Sequence, residues 1–128
     1  MVVVHGESII EPVEKGTNKA ALQCPYVDIL AHPGLITLEE AKLAATRGIF
    51  LELSARRGHS LANGHLAQLA RLTGAKLLLN SDAHDEANLF TPPLARQIAR
   101  AAGLDKKESD EILIANVQAL LKRLPEKG

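Results

Sequence analysis

Ile49-Phe50-Leu51-Glu52-Leu53 runs straight into Ser54-Ala55-Arg56-Arg57-Gly58-His59. So short and nearly continuous an apolar run reads as a strand buried on both faces. The polar cluster after it reads as the loop leaving its C-terminal end. Three other stretches repeat the arrangement. Val2-Val3-Val4 runs into His5-Gly6-Glu7, and Val27-Asp28-Ile29-Leu30-Ala31 into His32-Pro33-Gly34. Lys76-Leu77-Leu78-Leu79-Asn80 runs into Ser81-Asp82-Ala83-His84.

Helical signals fill the intervals. Thr17 or Asn18 can cap a short helix over 18–24 that Pro25 stops. Thr37-Leu38-Glu39-Glu40 has capping-box spacing and opens a helix to about Arg47, ended by Gly48. Asn63 is placed to cap a helix carrying Leu66, Leu69, Ala70 and Thr73 along one side, ended by Gly74. Pro92 and Pro93 start another, stopped by Gly103. Asp105 and Glu108 form a second capping box, opening a last helix with Leu113, Val117, Leu120 and Leu121 on one face.

Strands alternating with helices define an α/β chain with a parallel sheet and right-handed crossovers. In such sheets all strand C-termini share one face, and ligands bind there. The pattern therefore gathers His5, His32, Asp82 and His84 into one cleft. Imidazole nitrogen with carboxylate oxygen suits Zn, Mn or Fe. Each residue has a plainer reading alone: Ser81-Asp82 as a turn, His5 and His32 as structural histidines. Their convergence on one rim favours the metal.

Arg56, Arg57 and His59 follow the third strand, and guanidinium forks at such a rim bind phosphate or carboxylate. A solvated basic loop is the alternative. Glu52, inside an apolar strand, needs a cation or hydrogen bonds; it either supports a ligand or faces out beneath a helix. Gly16-Thr17-Asn18 reads as a helix cap, His65 as a surface residue and Cys24 as a small helix-end hydrophobe.

Composition narrows the function. The chain has 128 residues, 46% hydrophobic and 2% aromatic, so aliphatic side chains must fill one core. The 15 basic and 15 acidic residues balance, which speaks against a nucleic-acid binder. A single cysteine excludes a disulfide framework and points to a reducing, cytoplasmic setting. No apolar run approaches the ~18 residues of a membrane span. A strand opens the chain with nothing before it, so part of a larger fold is expected.

Leu30-Ala31-His32-Pro33-Gly34, Leu51-Glu52-Leu53-Ser54 and Asn80-Ser81-Asp82-Ala83-His84 together resemble the PHP (polymerase and histidinol phosphatase) family, in its order and with similar spacing. The resemblance is to its stand-alone histidinol-phosphatase-like members. The resemblance covers residues 1 to about 90 and implies a distorted seven-stranded β/α barrel whose rim holds up to three divalent metal ions and hydrolyses phosphate esters. His5 and His32 would share one metal, Asp82 would bind a second and His84 a third. Asp82, His84 and Arg56 would be the catalytic groups, and Arg56, Arg57 and His59 the substrate contacts. The family's opening His-x-His motif and bridging glutamate have no counterpart here. A full barrel needs roughly 250 residues, so residues 1–128 are expected to be one partial domain, the C-terminal portion.

The expected function is a PHP-type phosphoesterase acting on a small phosphate ester, weak or inactive as this chain alone. The alternative is a non-catalytic scaffold or polymerase-associated module. Unpaired sheet edges at 2–4 and 76–80 lead us to expect a homo-oligomer, or pairing with an N-terminal half.

Overall fold

The computed structural model describes residues 1–11, 13–83 and 90–124. Strands β1 (Val3–His5), β2 (Ile29–Ala31), β3 (Phe50–Ser54) and β4 (Leu77–Asn80) form one parallel sheet in the order β1-β2-β3-β4. Each strand lies beside the next in sequence, as in a β/α barrel, with no reversal of order as in a doubly wound sheet. The helices are α1 (Thr17–Gln23), α2 (Leu38–Arg47), α3 (Asn63–Thr73), α4 (Pro92–Ala101), α5 (Lys106–Asp110) and α6 (Asn116–Arg123). The fold is thus α/β, consistent with part of a β/α barrel. No helix among the described residues is long and apolar enough to cross a membrane.

The capping chemistry is realised at two helices. Thr37 accepts from the Glu40 N–H while the Glu40 carboxylate accepts from the Thr37 N–H, and Gly48 ends α2 at φ +67°. Asp105 and Glu108 make the same reciprocal pair at α5. Helix α3 departs from expectation. A 3-10 turn (His59–Ala62) runs into it, Ala62 holds the cap position, and Asn63 is its first residue. The Asn63 amide is committed elsewhere, donating to the Ser54 carbonyl and accepting the Ser54 N–H. It ties the end of β3 to the start of α3.

The sheet buries both faces. On the helix side Leu30, Leu51, Leu53, Leu77 and Leu79 pack with residues including Leu22, Ala41, Ala44, Leu66, Ala99 and Ile112. On the other side Ile29, Phe50 and Leu78 meet Leu120 of α6. One helical run serves both faces because a π-helical turn (Glu111–Ala115) joins α5 to α6. Such a turn inserts a residue and rotates the downstream helix by about 100°. The single stripe expected along Leu113, Val117, Leu120 and Leu121 is accordingly broken: Ile112 and Leu120 are buried, Leu121 exposed.

This helix also changes the expectation for the 76–80 edge. Asn116 donates from its side chain to the Leu77 carbonyl at 2.9 Å, and Leu77 and Leu79 are buried. Arg123 lies over the Phe50 ring and bonds the Gly48 carbonyl and Asp28. At the other edge Val2 and Val3 are exposed, while Val4 packs against the helix-side core.

Candidate metal centre

The C-terminal ends of β1, β2 and β3 deliver His5, His32 and the loop 55–59 to one place. His32 and Asp82 are, among the described residues, the non-glycine positions with positive φ, at +31° and +49°. Left-handed backbone costs a residue with a side chain on the order of 1–2 kcal/mol. Both positions lie at strand C-terminal ends beside His59, and such strain tends to cluster at functional sites.

The loops are locked to one another below the histidines. Glu7 accepts from the Asn18 N–H, its own N–H donates to the Asn18 side chain, and Asn18 donates to the Pro33 carbonyl. A Cβ on Gly34 would lie 2.0 Å from the Glu7 carbonyl oxygen. The His5-Gly6-Glu7 and His32-Pro33-Gly34 corners are therefore pressed together. Glu7 acts as a helix-end clamp on α1, since the Gly16 and Asn18 amides both reach its carboxylate.

Above this clamp His5 Nδ1 and His32 Nε2 stand 3.0 Å apart. On its far side His32 Nδ1 lies 3.1 Å from the Glu52 carboxylate, whose other oxygen accepts from Asn80 at 2.9 Å. A carboxylate accepts, so a proton on His32 Nδ1 satisfies Glu52 and leaves Nε2 to face His5. Glu52, left with two readings by the sequence, is buried and supports His32.

His59 was expected as a substrate contact on the loop after β3. It is 3% exposed and stacks on His32, with ring centroids 4.0 Å apart and planes inclined by 11°. Its Nδ1 is 2.6 Å from Ser8 Oγ. Its Nε2 lies 2.9 Å from Glu11 Oε2 and 3.7 Å from Asp82 Oδ2, yet neither aligns as a hydrogen bond, and Nε2 is a buried polar atom without a partner. Burial, then the neighbouring His32, push the imidazole below its ordinary pKa, against the opposing pull of Glu11 and Asp82. That direction favours the neutral ring, the form that ligates metal.

Glu11, His32 and His59 each offer a ligand atom within 4.8 Å of the others. A cleft of about 240 Å³, lined by His5, Gly6, Glu11, Val13 and His32, opens this cluster to solvent. A larger groove of about 960 Å³ between α4 and the terminal helix contains no histidine. The residue types, the orphaned nitrogen and the carboxylate supporting His32 fit a divalent transition metal.

The other expected residues fall as follows. Asp82 stands beside the cluster, its Oδ2 3.7 Å from His59 Nε2, and pairs with Arg56 at 3.2 Å. Arg57 is exposed on the same loop. His84 lies outside the described residues. His65, expected at the surface, is half-buried and hydrogen-bonded to the Ile36 carbonyl. Sequence reasoning missed Glu11, which sits in an aperiodic loop. Its one signal was a second carboxylate four residues beyond Glu7 in the stretch after His5.

No protein-family model matches the chain. An uncharacterized protein of Methanocaldococcus jannaschii is 44% identical over 124 residues, covering 97% of this chain and 57% of that protein. A probable phosphatase of Thermoanaerobacter sp. is 29% identical over 130 residues, covering 91% and 52%. Ribonuclease P protein component 3 of Methanosarcina mazei is 28% identical over 138 residues, covering 96% and 55%. The chain thus spans about half the length of the curated relatives it matches, and distant relatives among them are named probable phosphatases.

Proposed function

We propose that this chain is the C-terminal, metal-binding portion of a PHP-type phosphoric ester hydrolase acting on a small phosphate ester. The observation that carries the reading is His32: a histidine at a strand end, held on one side by buried Glu52, its Nε2 3.0 Å from His5 Nδ1. The phosphatase names of distant relatives support the reaction class.

His5, His32, Asp82 and His84 would hold the ions. Divalent cations bound there supply positive charge that polarises a phosphoryl oxygen. Arg56 stands beside Asp82 and offers guanidinium N–H groups to phosphate oxygens; Arg57 sits on the same loop as a further contact. Glu52 and Asn80 hold the His32 ring so that no reorientation is needed as charge develops.

The test is hydrolysis of p-nitrophenyl phosphate with Mn²⁺, by the chain alone and mixed with a segment carrying the family's His-x-His and glutamate motifs. Little turnover alone, turnover on mixing, and at least a 100-fold loss in Asp82→Asn are expected. No turnover in any mixture refutes the enzyme reading. It would favour the second one, a non-catalytic scaffold, which the likeness to a ribonuclease P protein component supports.

A further inference from the structure

We propose that Glu11, His32 and His59 form a site for one divalent transition-metal ion that this chain assembles from its own residues. Glu11 and His59 lie outside the ligand set that the PHP resemblance implies, so the inference goes beyond the phosphoesterase reading; His32 belongs to both sets, and its Nε2 would serve this ion in place of one shared with His5.

The first ground is geometric. Three ligand atoms, two imidazole nitrogens and a carboxylate oxygen, lie within 4.8 Å of one another. Ligands bonded at about 2.0–2.2 Å to one ion stand roughly 3–4 Å apart. To bond one ion the cluster must draw in, and the stacked His32 and His59 rings must tilt so that their in-plane lone pairs converge.

The second ground is the orphaned nitrogen. His59 is almost wholly buried, and its Nε2 has no hydrogen-bond partner although two carboxylates stand within 3.7 Å. A buried polar atom left unpaired costs about 1–3 kcal/mol. If Nδ1 donates to Ser8, the Nε2 lone pair faces carboxylate oxygens. If Ser8 donates to Nδ1, the Nε2 proton finds no acceptor in line. A cation among these atoms resolves the first arrangement.

The third ground is support. Metal-ligating histidines characteristically hold a partner on the other ring nitrogen. Both rings have one: His32 has Glu52, backed by Asn80, and His59 has the buried Ser8. The segment that brings Ser8 and Glu11 is itself seated. Ile10 rests against Gly58, where a Cβ would come within 2.3 Å of the Ile10 side chain, and Gly58 has φ +92°. Glu11 is the exposed member of the trio, giving an ion a way in from the cleft.

The experiment uses the whole chain, stripped with chelator and titrated with Mn²⁺ and Zn²⁺ by calorimetry, with bound metal counted by elemental analysis. One ion per chain is expected. Its affinity should fall at least tenfold in Glu11→Gln, an exposed change that leaves the fold intact by circular dichroism, and in Ser8→Ala. His65→Gln should bind as the parent does. No bound ion, or equal affinity in Glu11→Gln, overturns the proposal whatever the phosphatase assay reads. An ion bound with these dependences upholds it even where no phosphate ester is hydrolysed.

Discussion

Nδ1 of His32 and Oε1 of Glu52 meet at 3.1 Å across neighbouring strands, with Asn80 of the next strand closing on the other carboxylate oxygen. Two adjacent strands thus spend one polar side chain each on the orientation of a single ring. Glu52→Gln removes the obligate acceptor and leaves the ring free to change tautomer. Divalent-ion affinity should fall about 10–100-fold. Calorimetric titration of both forms measures it, and unchanged affinity would show that Glu52 merely fills space.

The pressed corners beneath the histidines should be intolerant of one methyl group. Gly34 has φ +63° and its missing Cβ would strike the Glu7 carbonyl, whereas Gly74 has φ +79° with open space around it. Gly74→Ala should cost about 1–2 kcal/mol, the left-handed strain alone. Gly34→Ala adds overpacking against backbone, for a total of roughly 3 kcal/mol or more. Urea unfolding of the two variants compares them, and equal losses would contradict the clash.

Acid should erase one surface contribution. Hydrogen bonds from Arg71, then the Asp105 backbone amide, hold the Glu108 carboxyl down to about 2 from its ordinary 4.5. A carboxyl depressed on folding adds stability that is complete above its unfolded value and lost as pH falls toward its folded one. Glu108→Gln keeps the capping box and drops the charge. Denaturation at stepped pH should show the parent more stable at neutrality, with the gap closing between pH 4.5 and 2. A gap undiminished at pH 2 would exclude this ion pair as its source.

At the β1 edge the apolar side chains Val2 and Val3 remain exposed. We propose that this edge recruits a neighbour, either a second copy or an N-terminal half. Light scattering at low micromolar concentration should give a dimer or larger species, reduced toward monomer by Val3→Lys. A monomeric parent chain that also stays monomeric when the N-terminal half is added would refute the pairing.

The two phases of the terminal helix predict opposite outcomes for adjacent leucines. Leu120 is buried against Phe50 and Leu78, and Leu121 is exposed. Leu120→Ala should cost about 2–4 kcal/mol, and Leu121→Ala no more than about 0.5 kcal/mol. Similar losses would mean that the π-helical turn is not maintained in solution.

The strands and most helix ends were legible because their causes are local. A run such as Leu77-Leu78-Leu79 has few alternatives to a doubly buried strand, and Thr37 with Glu40 satisfies its own amides. The α2 and α4 boundaries follow from capping, proline and glycine within a few residues. The rim was legible in outline, since strand ends share a face whatever the loops do. Glu11 and the burial of His59 were not, because both depend on Ile10 packing onto Gly58 some fifty residues away. The π-helical turn was invisible for a related reason. It arises from the sheet that the helix must straddle, and a hydrophobic period read along one segment does not contain it.

That turn puts the chain's local and global preferences one residue apart. Removing one residue within Glu111–Ala115 would restore an unbroken α-helical frame, the better hydrogen-bonded of the two. It would also swing Leu120 about 100° from Phe50 and carry Asn116 off the Leu77 carbonyl. The extra residue acts as a spacer in the reading frame of the helix. For this segment a shorter, more regular sequence would be a worse solution, and length here encodes rotation.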